Sequence, residues 1–363
     1  MTSVLHVVPS TPFGGMQRIA ALLAREQRRA GIDAQVMGIY DDTNFSHLLE
    51  QFHLPHVFAE GGRPGARSIR QLYRVSSRDW SIVHIHGGLL WSNLVSLLAR
   101  RSPVVYHAHN YPSHDRSAKG RLLGRINRSL ASIVIAVSDD VAREWRTLVP
   151  NLVIERVYNA IDLPQDKRRS RSVRSSQSPV FGMMTRFAKD KGVYEFLDVA
   201  EELYRRRPTA RFVLAGDGPE KNRLVNEIAH RSLDGAFSLP GHVSDIDVFW
   251  SAVDFALFTA RKEPFGLRIL EPMVRGVPVA AYLTGAGSDE IFRSQSRAIT
   301  AVYGDAGSLA ERVLTVCDNP ILYDQVADEA LADVSGRFSV PKVAEAVSQI
   351  YARTILKPHR KSR

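Results

Sequence analysis

Two glutamates stand eight positions apart in the stretch TARKEPFGLRILEPMVRGVPVA, residues 259–280. Glu263 precedes a Pro-Phe-Gly turn, and Glu271 falls about two turns into the helical pattern read over 266–275. That helix opens at Pro264, Phe265 and Gly266, so the backbone N–H groups around Gly266, Leu267 and Arg268 have no intrahelical acceptor and lie at its positive end. A phosphate oxygen or a sugar hydroxyl could accept from them. One carboxylate outside the helix and one inside it would grip different parts of an elongated ligand; the spacing does not suit an acid and a base flanking one bond.

Other chemistry-bearing residues follow apolar runs. FGMMTRFAKDKG supplies Arg186 and Lys191 beside Gly192, a guanidinium fork and a compact ammonium suited to clamping a diphosphate. VLAGDGPE places Gly216, Asp217 and Gly218 after a run, where the backbone can come close to a ligand. TPFGGMQRIA sets Gly14 and Gly15 at the start of a helix, exposing N–H groups to an anion. The G-x-G-x-x-G fingerprint is absent here, which argues against a bound NAD.

SIVHIHGG and PVVYHAHN each end in a His-x-His pair whose alternation puts both rings on one sheet face. Four such histidines could ligate a metal, but no nearby carboxylate or cysteine pattern supports one, and no metal is expected. His109, followed by Asn110 and a loop, is the ring expected to face a ligand. Asp245 and Asp247 spell D-x-D, yet they open a helix after GHV and are read as its cap.

These residues need elements to hold them. Short apolar runs alternate with helical segments along the chain, the pattern of α/β sheets wound on both faces. VLHVVP, AQVMGIY, SIVHIH, PVVYHAH, SIVIAV and LVIERVY read as strands of a first domain, 1–163, with helices around 16–30, 90–101, 121–130 and 139–148. A Ser/Arg-rich stretch bounded by prolines, 164–179, reads as an exposed linker. The alternation restarts with PVFGMMT, ARFVLAG, AFSLPG, DFALFTA and VPVAAY in a second domain, 180–335, and 336–363 forms a closing helix that packs back toward the first domain, with a basic tail. Two doubly wound, Rossmann-like domains predict a ligand outside the carboxyl ends of the strands, in a cleft between them.

Taken together, these motifs make the chain resemble the retaining glycosyltransferases of family 4, which have the two-domain GT-B fold. Glu263, Pro264, Phe265, Gly266, Glu271, Gly276 and Pro278 match the family's E-x7-E signature, EPFG followed by G-x-P-V. The Gly-Gly loop, strand-end histidine, R-x4-KG and GDGP turn extend the resemblance over most of the chain. It implies that Arg186 and Lys191 bind the diphosphate of a nucleotide-sugar. Glu263 would contact the donor sugar, Glu271 the ribose, and the N–H groups of Phe265 to Arg268 would assist. Gly15 would border phosphate and acceptor, and His109 would sit near the transferred sugar. No metal or other cofactor is implied.

Three departures stand out: Asn159-Ala160 where the family has Asn-Gly, Pro272 where alanine is common, and Gly285 to Glu290 in place of Gly-Gly-x-x-Glu. A sugar-nucleotide epimerase or phosphorylase of the same fold, and a non-catalytic nucleotide-sugar-binding protein, are the alternative readings.

Composition agrees with a folded chain: 44% hydrophobic and 24% charged residues are globular values. The net charge of +10 is clustered. Arg67, Arg70, Arg74 and Arg78 recur on one helical face and Arg121, Arg125 and Arg128 on another, which suits an anionic membrane surface. Nucleic acid is not expected, because no recognition module with interleaved aromatics accompanies the charge. One cysteine, no signal-like N-terminus and no long apolar run lead to the expectation of a cytoplasmic protein, peripheral on the inner face of a membrane. The expected partners are a nucleotide-sugar donor and a saccharide or lipid-linked acceptor.

Overall fold

The computed structural model describes residues 2–8, 13–39, 42–58, 70, 73–87, 95–97, 99, 102–112, 131–164 and 178–356. The chain divides into unit 1, Met1–Asp162 with Phe338–Arg363, and unit 2, Leu163–Arg337.

Unit 1 contains a seven-stranded parallel sheet: β1 (Ser3–Val8), β2 (Asp33–Gly38), β3 (His56–Phe58), β4 (Ile82–His86), β5 (Val104–Ala108), β6 (Ile133–Ala136) and β7 (Ile154–Arg156). Their order, β3-β2-β1-β4-β5-β6-β7, reverses direction between β1 and β4. Strands β4, β5 and β6 are buried along their whole length, as continuous apolar runs covered on both faces must be. Helix α1 (Gly15–Arg29) lays Ile19, Ala20, Leu22 and Leu23 on the sheet, and α2 (Thr43–Gln51) starts where the Asp42 carboxylate accepts from the N–H groups of Asn44 and Phe45. Helix α3 (Asp139–Leu148) is capped by the Ser138 hydroxyl, which accepts from the Val141 N–H at 3.1 Å.

Unit 2 repeats the plan with six parallel strands: β8 (Val180–Met184), β9 (Arg211–Ala215), β10 (Phe237–Ser238), β11 (Phe255–Phe258), β12 (Val279–Leu283) and β13 (Ile299–Val302). Their order is β10-β9-β8-β11-β12-β13, with the reversal between β8 and β11. Helices α4 (Val193–Arg206), α5 (Lys221–His230), α6 (Ile246–Ser251) and α7 (Leu267–Met273) connect them, and α8 (Ala306–Cys317) and α9 (Pro320–Phe338) follow. The core is aromatic: Phe181 stacks between Phe212 and Phe255 at centroid distances of 5.7 Å, and Tyr323 of α9 meets Phe255 edge-on at 5.2 Å.

After α9 the chain returns to unit 1. Ile161 pairs with Ser339, its N–H donating to the Phe338 carbonyl at 2.8 Å, and α10 (Val340–Ile355) packs on α1. Strands β3 and β13 and helix α2 were not apparent as elements in the sequence. Both strands lie at sheet edges, where one neighbour suffices and a long apolar run is not needed.

Arg70, Arg74 and Arg78 are exposed. Arg67, Arg121, Arg125 and Arg128 lie outside the described residues, as do most of the helices expected over 90–101 and 121–130 and positions 165–177 of the expected linker. Among the described residues no helix is long and apolar enough to cross a membrane.

Candidate active site

In a doubly wound sheet, the loops leaving the carboxyl ends of the two strands at the reversal point away from each other and leave a crevice. In unit 2 those strands are β8 and β11, and the predicted cations follow β8 directly. Arg186 is exposed, and its guanidinium has no ion-pair partner among the described residues. Lys191 ends a 3₁₀ turn, Lys189–Lys191, that leads into α4. Gly192 after it has φ of 73°, and a Cβ there would lie 2.2 Å from the Thr259 carbonyl oxygen. Only glycine allows this approach, and the Thr259 hydroxyl secures it by donating to the Gly192 carbonyl at 2.7 Å. The Lys-Gly pair therefore pins the lysine to the end of β11.

That docking brings Lys191 to Glu263, four residues beyond Thr259: Nζ donates to Oε2 at 2.8 Å, with about a third or less of either side chain exposed. An ammonium carries three N–H donors, so the pair leaves donors free for a phosphate. Asp190 lies 3.9 Å from the same nitrogen. Arg186, Lys191, Glu263 and Arg268 line one cavity with the ends of β8 and β11, Met183, Thr185, Phe258 and Ala260 among them. Trp250 of α6 also lines it, and its indole nitrogen is buried with no hydrogen-bond partner.

Gly266, with φ of 95°, caps α7, and Phe265 before it is buried. Leu267 begins the helix and Arg268 is exposed on its first turn. The helix ends at Met273 rather than 275, in a closing turn where the Pro272 carbonyl accepts from Arg275 and Val277 and Gly276 takes a φ of 72°. Glu271 projects from α7 and is largely buried. One carboxylate oxygen, Oε2, has no hydrogen-bond partner, and Arg268 approaches it only to 3.9 Å. A desolvated acceptor of this kind is costly until a hydroxyl or N–H reaches it. Glu271 is outside the cavity lining that Glu263 shares.

The Gly216-Asp217-Gly218 turn packs against the loop that follows β8. At Gly216, φ is 138°, and a Cβ would fall 1.8 Å from the Thr185 carbonyl. The backbone that comes close is the loop carrying Arg186, whose Phe187 N–H also donates to the Asp217 carbonyl at 2.9 Å. Asp217 is held below the usual carboxylate range, first by the Gly218 N–H and then by Lys221. Asp245 caps α6, accepting from Asp247 and Val248 at 3.0 Å each, and Asp247 pairs with Arg275 at 2.6 Å.

In unit 1, Gly15 is exposed at the start of α1. His109 meets His86 through its Nε2 at 3.1 Å, and burial is the main reason its pKa falls to about 3, with the Asn159 amide opposing. His86, His84 and His107 behind it are fully buried, and so is His6 of β1. His6 went unnoticed in the sequence, where the available signal was one histidine inside the apolar run VLHVV.

Two parallel α/β units that share the order of their first six strands have the fold of the GT-B glycosyltransferases. The profile of glycosyl transferases group 1 matches residues 164–332 and that of glycosyltransferase family 4 matches residues 13–165. The chain belongs to this family of glycosyltransferases.

A glycogen synthase of Mycobacterium tuberculosis is 24% identical over 76% of this chain and 70% of its own. A 2-deoxystreptamine N-acetyl-D-glucosaminyltransferase of Streptomyces fradiae is 27% identical over 92% of this chain and 90% of its own. Among solved structures, Anabaena HepE in complex with UDP and glucose superimposes with a TM-score of 0.81 at 23% identity, covering 97% of this chain and 100% of that one.

Proposed function

We propose that this protein is a retaining glycosyltransferase that moves a sugar from a nucleoside diphosphate sugar to a hydroxyl of a saccharide or lipid-linked acceptor. The setting is the assembly of an exopolysaccharide, lipopolysaccharide or glycolipid. The observation that carries the reading is the Arg186–Lys191–Glu263–Arg268 constellation around one cavity of unit 2. Breaking a sugar–phosphate bond builds negative charge on the diphosphate and positive charge on the anomeric carbon. Arg186 and Lys191 answer the first, so the transfer itself needs no metal. Glu263, oriented by Lys191, takes donor-sugar hydroxyls, and Glu271 offers its unpartnered oxygen to the ribose. Attack from the face the diphosphate leaves, with a phosphate oxygen taking the acceptor proton, retains the anomeric configuration.

HepE was solved with UDP, which makes uracil the first base to test. In a thermal-shift comparison of UDP, GDP, ADP and CMP sugars, a UDP-sugar at a hundred times its dissociation constant is expected to stabilise the chain by about 2.7 kcal/mol. Glu271→Ala should abolish the shift while leaving the unliganded melting temperature near the wild-type value. A panel in which none of the donors raises the melting temperature would count decisively against the reading.

The exposed Arg70, Arg74 and Arg78 support a peripheral position on an anionic membrane face. The expectation is co-sedimentation with anionic vesicles that weakens as salt is raised and on replacing Arg70 and Arg74 together. Binding indifferent to both would remove the electrostatic argument.

A further inference from the structure

Five histidine rings pack against one another inside unit 1. Register produces the cluster: His6 of β1 lies beside His84 of β4, and His86 beside His107 of β5. The two-residue repeat of a strand then brings His86 and His109 onto the same face. Neighbouring ring centroids are 4.2 to 5.4 Å apart.

Within the cluster, His6, His84 and His86 each offer one nitrogen, and the three atoms lie within 4.8 Å of one another. Their other nitrogens are tied outward. His6 Nε2 meets Gln27 Oε1 at 2.8 Å, His84 Nδ1 meets the Tyr351 hydroxyl, and His86 Nδ1 meets His109 Nε2 at 3.1 Å. A metal-ligating histidine characteristically has this outer contact, which holds the far N–H and turns the lone pair of the near nitrogen inward. His6 Nδ1 and His86 Nε2 face each other at 2.9 Å.

A second observation is independent of that geometry. His84 Nε2 and both nitrogens of His107 are buried with no hydrogen-bond partner. Each buried polar atom left in that condition costs about 1–3 kcal/mol, and an ion on the triad would remove that cost at His84 Nε2.

We propose that unit 1 binds one divalent transition ion through His6, His84 and His86. An all-imidazole set suits Zn²⁺, Ni²⁺, Co²⁺ or Cu²⁺ and discriminates against Mg²⁺ and Ca²⁺, which take oxygen ligands. Bonds of about 2.0–2.1 Å require ligand nitrogens about 3.3 Å apart, so small ring rotations close the triad. The ion is structural: it ties β1 to β4 and, through Tyr351, ties both to the C-terminal helix α10. It takes no part in the transfer proposed for unit 2, and its test does not read transfer.

The full chain, stripped with chelator, is equilibrated with Zn²⁺ or Co²⁺, desalted, and its metal counted per chain. One ion per chain, a melting temperature that falls on adding EDTA, and visible Co²⁺ bands of nitrogen ligation are expected. His86→Ala should lose the ion. Gln27→Leu, which removes only the outer contact to His6, should weaken binding about 10–100-fold and so covers the case in which His86→Ala does not fold. A wild-type chain that stays metal-free after loading, or an ion retained unchanged in Gln27→Leu and in the His6→Ala, His84→Ala double variant, overturns the site.

Discussion

Lys191→Ala is expected to lower kcat/KM for sugar transfer about 10²–10³-fold, roughly 3–4 kcal/mol of barrier, with the fold intact. The size follows from position. Lys191 Nζ sits 2.8 Å from Glu263 in the cavity that also holds Arg186, so removing it subtracts one of the two cations proposed to bind the diphosphate. It also removes a positive charge from beside the Glu263 carboxylate. The pair is partly exposed, and losing it costs the fold only about 1 kcal/mol or less.

Glu263→Gln keeps the hydrogen-bond acceptor and removes the charge, and should cost less than Lys191→Ala. Because the two side chains share one hydrogen bond, the double variant should lose less than the sum of the single losses. Released nucleoside diphosphate, followed with and without acceptor, is the measurement. Wild-type kcat/KM in Lys191→Ala would remove the clamp from the mechanism.

Acidification of the metal-free chain is expected to unfold unit 1 ahead of unit 2. Burial lowers the His6 pKa from 6.5 to about 4, the Gln27 contact opposing only in part, and it lowers His84, His86 and His107 as well. Between those values the unfolded chain takes up a proton that the folded ring refuses. Stability therefore rises with pH across this window and is lost as pH falls through it, at about 1.4 kcal/mol per pH unit for His6. His6 alone accounts for about 3 kcal/mol by pH 4.

Unit 2 holds His230 and His242, both exposed, and lacks this liability. Amide exchange at pH 7 and pH 5, resolved by unit, checks the prediction. Equal loss of protection in both units, or none above pH 4, would show that the cluster does not set acid stability.

Much of this was readable from short stretches, because those signals are local. Alternating apolar runs gave the two parallel sheets, since a strand covered on both faces must be apolar throughout. R-x4-KG and EPFG followed by a second glutamate marked the unit that carries the candidate site, because a glycine at positive φ, a helix cap and a strand-end cation each leave their mark within about ten residues.

What lay beyond reach depended on pairing between distant segments. Glu263 and Lys191 are 72 positions apart and meet because Gly192 presses on Thr259. The glycines of the 216–218 turn make room for a neighbouring loop, which their own sequence does not reveal. His6 joins His84 through strand register 78 positions away, and Tyr351 reaches His84 over 267. The amino-acid sequence by itself determined the class of fold and the types of group available for phosphate, sugar and metal chemistry. Only the tertiary structure decided which of those groups share a cavity, because strand order and register are settled by packing over the whole chain.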